Sequence, residues 1–403
     1  DPRFGFTLDL FGNSKTVIRG GYGVFSTSNP GQNAASAITN NGINTKTYKA
    51  TFALNPSLFQ VGGVLNRDFA GRIVDNSIKP LTDAQLATLP TSTIQVGIID
   101  PEARMAQSKV ITLGVEQDMG HGLVLGIRGT YKRYYHTQYW MDINMAQVNP
   151  ATGKTDGAIY NDGYAYNNNA FKTSGRPGAA IVRGRTLDLS GFGGVYLSKY
   201  DGEGRYKALI LEANRRSENS FGFKSSLTFS KAEDNNSNER STQGSLDANP
   251  IDPSNPYRMS TSDNNVPFRA VFTGYAPKIY GFKLSGTLTY SKGYPYSARY
   301  TNDTNGDGLK NDVVEAMGWR NGQRQPCRKT FDMRLSRNFR VMKAFSLEGI
   351  IDVYNVLNWA NQTTSYTAYY TDKTSTTPNS NFGMINNNDD RTREIQFTLK
   401  ARF

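Results

Sequence analysis

Arg205–Asn235 reads RYKALILEANRRSENSFGFKSSLTFSKAEDN. Two alternating runs flank a short polar segment. In the first run Leu209, Leu211 and Ala213 fall on one side. In the second, Phe221, Phe223, Leu227 and Phe229 oppose Lys224, Ser226, Thr228 and Ser230. A period of two is the pattern of a β-strand, and Ser217–Ser220 has the polar composition of a turn. The stretch is a hairpin with one apolar and one polar face.

The same period recurs along all 403 residues. It is found in Phe4–Phe11, Thr16–Phe25, Lys109–Met119, Leu123–Tyr135, Thr330–Val341, Phe345–Asn358 and Arg393–Phe403. Phe282–Ser291 sets Phe282, Leu284, Leu288 and Tyr290 against Lys283, Ser285, Thr287 and Thr289. Val266–Pro277 is strand-like, but its facing is ambiguous. With the opening hairpin these make about eleven strands, each near the ~9–11 residues that cross a bilayer at a tilt.

The connections alternate between short and long. Gly12–Lys15, Gly120–Gly122, Ser217–Ser220, Lys278–Gly281 and Met342–Ala344 are short. The regions near 26–106, 136–204, 233–265, 292–329 and 359–392 are long. Tight turns on one side and extended loops on the other mark an up-and-down transmembrane barrel. A soluble antiparallel sheet shows the same alternation; strand length and loop asymmetry favour the membrane. The expected fold is all-β, an antiparallel up-and-down transmembrane β-barrel. Its apolar face meets lipid, its polar face lines the interior, and Phe403 sits at the periplasmic side. Eleven is odd, whereas bacterial single-chain barrels have even counts. Either a strand is miscounted in a long loop, or the chain, which opens inside a strand with no signal peptide, is the back half of a larger barrel.

Composition agrees with this class. Hydrophobic residues are 37% while aromatics reach 12%, with 23 Tyr, 21 Phe and 39 Gly. Net charge is +12. The basic residues are scattered singly over strand faces, as Arg128, Lys224, Lys283, Arg334 and Lys400. No basic patch or nucleic-acid module is visible, so no nucleic-acid partner is expected. Cys327 is the only cysteine, and a loop thiol of no special role is expected. His121 and His136 bracket one strand, roughly 50 Å apart at ~3.3 Å per residue. They cannot share a metal or a triad, so no enzyme is expected.

Several segments resemble one family in its own order. PRFGFTLDLFGNSKTVIRGGYGVF (Pro2–Phe25) resembles the opening barrel strands of TonB-dependent outer-membrane receptors of the Oar-like branch. ITLGVEQDMGHGLVLGIRGTY (Ile111–Tyr131), the opening hairpin, DTNGDGLKND (Asp303–Asp312), GIIDVYNVLN (Gly349–Asn358) and the terminal Arg402–Phe403 are similar to later parts of that family. The resemblance implies a 22-stranded barrel closed by an N-terminal plug and energised through TonB. Eleven strands would be half of it. The plug, the TonB-contacting segment and the first strands are then expected upstream of Asp1, and the piece alone is not expected to transport.

Candidate sites lie mainly in the long loops. Asp303, Asn305, Asp307 and Asp312 open like a calcium loop, with oxygen ligands at alternating positions. Val314 stands where the bidentate Glu belongs, and an Asx-rich turn explains the same residues. Tyr131, Tyr134 and Tyr135 lie where a strand leaves the membrane, as in an aromatic girdle. Trp140, Trp359, Tyr366, Tyr369 and Tyr370 lie farther out and are the ligand-binding candidates. Phe397, Leu399 and Phe403 form, by the resemblance, the C-terminal signal read by the barrel-assembly machinery.

The expected function is transport across the bacterial outer membrane, with extracellular loops binding substrate. The expected partners are outer-membrane lipid and lipopolysaccharide, the assembly machinery and, through the plug, the TonB complex. Calcium is the one candidate cofactor. The rival readings are a passive porin and an adhesion or protein-secretion barrel.

Overall fold

A computed structural model of the chain describes residues 1–27, 94–142, 192–237, 259–302, 313–388 and 392–403. Positions 102, 218–219, 236, 319, 341, 343–344 and 365 are excepted, and short strands are described in the loops between. Eleven antiparallel strands follow one another in a single sheet. They are β1 (Arg3–Asp9), β2 (Thr16–Thr27), β3 (Ala106–Gly120), β4 (Leu123–Asp142), β5 (Phe192–Arg215) and β6 (Gly222–Asp234). After them come β7 (Phe268–Tyr275), β8 (Phe282–Ser291), β9 (Arg328–Arg340), β10 (Ser346–Tyr354) and β11 (Glu394–Arg402). β2 to β10 each pair with the strand before and after, and the path runs from β1 to β11.

Register turns the sequence alternation into rows. Leu8, Ile18, Val115, Ile127, Leu211, Leu227 and Ala270 stand opposite one another across β1 to β7. Leu284, Leu335, Ile351 and Phe397 continue the apolar face across β8 to β11. The ambiguous strand is settled by its neighbour, since Phe272 pairs with Leu288 and joins the same face. Large apolar side chains stay exposed along it, among them Leu113, Ile127 and Leu399. In water such a patch is a liability, and in a bilayer it is the contact surface.

The opposite face carries ion pairs between neighbouring strands. Arg19 meets Glu116 at 3.4 Å, Arg128 meets Glu212 at 3.5 Å, and Arg402 meets Glu348 at 3.1 Å. Arg334 grips Asp352 with two bonds, Nε–Oδ1 at 2.6 Å and Nη2–Oδ2 at 2.9 Å. Each partly exposed pair is worth only about 0–1 kcal/mol. Their effect is on facing, because a one-residue slip would turn every charge into lipid.

The short turns have the chemistry their geometry needs. Tyr280 and Gly281 both have positive φ, and Ile279 and Phe282 exchange backbone bonds at 2.9 and 3.1 Å. That is the two-residue hairpin whose twist matches the strands. Gly122 must be glycine twice over: φ is +75°, and a Cβ would lie 2.3 Å from the Arg216 carbonyl.

Strands run past the expected ends on the long-loop side. β4 extends to Asp142 and β5 starts at Phe192, so His136 lies inside β4 rather than at its end. Its positive φ sits beside the register shifts opposite Gly202. Ile94–Ile99 adds a parallel strand to β5 there. This extension is dry inside: Val195, Leu197 and Tyr139 are each at most 2% exposed. Beyond the bilayer, water drives burial again.

The facing is testable in the full-length protein. Leu211→Arg puts a charge inside the apolar band and should cost about 2–4 kcal/mol at mid-depth. Glu212→Gln, on the other face, should cost about 1 kcal/mol or less. Urea unfolding from phospholipid vesicles measures both, and equal costs would contradict the facing.

Candidate functional site

Two long loops join above the strands. Arg299–Tyr300 pairs in parallel with Ala368–Tyr370, with Tyr300 opposite Tyr370. The pairing gathers an aromatic ledge. Tyr369 meets Tyr370 edge-on at 4.5 Å and Phe382 at 4.8 Å, while Tyr300 stacks on Tyr370 at 6.4 Å. Tyr296 lies 6.2 Å from Phe382. Tyr366 is beside them, 42% exposed, its carbonyl accepting the Gly383 N–H. Burial pushes the Tyr296 phenol up. Desolvation, with Tyr370 next to it, does the same at Tyr369. The phenols are thus neutral donors near pH 7, on faces that stack with planar or sugar groups.

The other tryptophan and tyrosine candidates separate. Trp359 makes no ring contact with the ledge among the described residues. It is tied to the end of β10, where Asn355 bonds its N–H and its carbonyl, and Lys329 Nζ lies 5.1 Å from its ring. Trp140 is in the β4 extension, opposite Ser198 of β5. Tyr131 and Tyr135 share the outward face with Ile127, as a girdle requires, but Tyr134 faces inward. It lines a cavity of about 520 Å³ with Gln107, Glu203, Tyr206, Asp234 and Asn264.

A buried polar clasp roofs that side. Arg320 is 3% exposed and bonds Asp234 through Oδ1 at 2.6 Å and through the backbone carbonyl. Ser237 Oγ is 3.3 Å from Arg320 Nη1. Asn321 follows, donating to Thr261 O at 2.8 Å and Asp263 Oδ1 at 2.6 Å. One dipeptide thus fastens the loop after β8 to the end of β6 and the loop after it. Arg320 Nε has no partner among the described residues.

Asp303, Asn305, Asp307 and Asp312 lie outside the described residues. Phe397 and Leu399 face outward on β11, and Phe403 stacks on Phe345 at 5.2 Å beside the short β9–β10 turn. Cys327 Sγ accepts a bond from the Tyr290 hydroxyl at 3.2 Å.

Residues 1–318 match the family described as Outer membrane beta barrel domain. The chain belongs to that family. It is a protein of the bacterial outer membrane. No curated protein matches it. Among solved structures it is similar to the outer-membrane transporter YddB from Escherichia coli, at 11% identity and a TM-score of 0.51. That alignment covers 98% of this chain and 39% of YddB. The siderophore receptor PiuA from Acinetobacter baumannii aligns at 11% identity and a TM-score of 0.44, over 99% of this chain and 35% of PiuA. The chain therefore spans well under half of the structures it matches.

The basic residues scattered in sequence include five that gather in space. Lys109, Arg133 and Arg205 stand in one row across β3, β4 and β5, and Lys207 and Lys231 pair in the next row. All five share the outward, apolar-side parity rather than the interior one. Nothing in spacing reveals this, because the pairing of distant strands creates it.

Removing one partner of the clasp tests its role. Arg320→Ala leaves the half-buried Asp234 without its cation, a loss of about 3 kcal/mol, at the low end for a buried pair. Amide exchange at Ser260–Ser262 should accelerate by roughly 100-fold or more, while β8 stays protected. Unchanged exchange would mean the clasp does not hold the loops.

Proposed function

We propose that the chain is the C-terminal half of the barrel of a TonB-dependent receptor of the Oar-like branch, importing a ligand held by its extracellular loops. The observation that carries this reading is the joined pair of loops. A passive pore has no use for an aromatic ledge built across two loops, whereas a receptor must hold its cargo before admitting it. The family resemblance and a strand count equal to half of a 22-stranded barrel support it. The remaining strands, the plug and the TonB-contacting segment would be supplied by the rest of the protein.

In this reading Tyr300, Tyr369 and Tyr370 stack on the ligand, and the cavity beside Tyr134 and Asp234 receives it on the way inward. Trp359 and Trp140 are secondary contacts. Calcium at Asp303–Asp312 would stiffen the loop that carries Tyr300. Phe397, Leu399 and Phe403 present the strand to the barrel-assembly machinery. No chemical step is assigned to the protein; its work is binding and passage.

Ligand retention tests the proposal. The full-length protein, isolated from its native membrane, should carry a small molecule detectable by mass spectrometry. Tyr300→Ala combined with Tyr370→Ala should lower its occupancy by about tenfold or more, from two stacking contacts of ~1 kcal/mol each. Cellular accumulation of that molecule should stop when TonB is removed. Accumulation that persists without TonB would contradict the proposal and favour a passive pore.

A further inference from the structure

The outward face has one built hollow where the apolar band meets the extracellular side. Its floor is Gly129 of β4, which stands between Leu113 of β3 and Leu209 of β5, with Phe229 of β6 beyond. Because Gly129 has no side chain, the row Leu113, Gly129, Leu209, Phe229 is notched. The resulting groove holds about 670 Å³ and is bounded above by Tyr131, Lys207 and Lys231.

Depth places the groove at a leaflet boundary. The outward run from Phe221 to Phe229 on β6 spans about 26 Å at ~3.3 Å per residue. At the usual tilt that is roughly 20 Å of height, close to the ~25 Å apolar band of such barrels. Lys207 and Lys231 therefore begin where hydrocarbon ends, on the long-loop side. Above them stand Lys109, Arg133 and Arg205 with Glu203 and Glu233.

The internal pairing does not cancel this charge. Glu233 takes both Arg205 and Lys231 at 2.7 Å, and Glu203 takes Arg133 at 3.4 Å. Lys207 Nζ lies 5.9 Å from the Tyr131 ring and Lys109 Nζ 5.1 Å from the Tyr135 ring. Among the described residues neither has a carboxylate partner. Five cations against two carboxylates leave a surplus of three positive charges facing the headgroup layer. A zwitterionic headgroup carries its own amine and would gain little. A headgroup with more than one phosphate matches the surplus, and its acyl chain fits the apolar notch below.

We propose that this notch and its lysine rim bind a phosphorylated, multiply acylated glycolipid of the outer leaflet, the chemistry of lipid A in lipopolysaccharide. An acyl chain lies over Gly129 between Leu113, Leu209 and Phe229, and phosphate groups meet Lys207 and Lys231. The inference rests on the outer-membrane placement of the barrel and not on the transport reading.

Native mass spectrometry of the full-length protein, released from detergent with added purified lipid A, tests it. Wild type should retain lipid A in preference to phosphatidylcholine and to chemically dephosphorylated lipid A. Lys207→Gln with Lys231→Gln should lower retention by about thirtyfold. Gly129→Leu fills the notch from the other direction. Its Cβ has room, the nearest atom being the Leu113 carbonyl at 3.9 Å, so the strand is expected to fold. It should lower retention of lipid A while leaving the migration of the folded barrel in gels unchanged. Equal retention by wild type and both variants, or equal retention of dephosphorylated lipid A, would overturn the proposal.

Discussion

A backbone N–H or C=O left unpaired in hydrocarbon costs several kcal/mol, and every other feature of this chain follows from meeting that constraint. A sheet meets it only by pairing each strand on both sides. The nine strands β2 to β10 do so in sequence order, with β1 and β11 at the two ends of the path. Once pairing is fixed, side chains have two destinations. Within the apolar band Leu, Ile and Phe go outward in rows, and Arg, Glu and Asp go inward as cross-strand pairs. The two demands reinforce each other, since a slipped register would bury charge in lipid along a whole strand.

The rules change above the bilayer. Water is present again, so burial rather than exposure of apolar groups becomes favourable. The dry packing of Val195, Leu197 and Tyr139 and the buried Arg320–Asp234 clasp are both found there. Loops stabilised in this way hold aromatic groups at fixed positions, which a binding surface needs. The sheet thus sets where a ligand can be offered, and the loop packing sets which side chains offer it.

The eleven strand segments could be read from the sequence because most repeat their alternation over several residues, and the short turns after Phe11, Met119 and Arg216 open on Gly or Ser. Facing was readable wherever large apolar residues marked one side, as at Phe221–Phe229. It failed at Phe268–Tyr275, where Ala270 and Gly274 give weak contrast and only pairing with Leu288 decides. The loop contacts were less legible. Tyr369 and Tyr370 stood out as loop aromatics, but their partners Tyr296, Tyr300 and Phe382 come from other loop segments. Trp359 looked equivalent and is not, because Asn355 ties it to the strand end. The outward basic cluster was hidden for the same reason: it exists only in the register of β3 to β6.

The central claim is that alternate residues of these strands face lipid and lumen. Cys327 is the only cysteine of these 403 residues, and a cysteine-free full-length background that includes Cys327→Ser accepts single spin labels. Labels at each position from Leu209 to Asn214, in the full-length protein in outer-membrane vesicles, report contact with oxygen or with a water-soluble nickel chelate. Oxygen contact should peak at 209, 211 and 213 and chelate contact at 210, 212 and 214. A profile without this period of two, or with the two sets exchanged, would contradict the account.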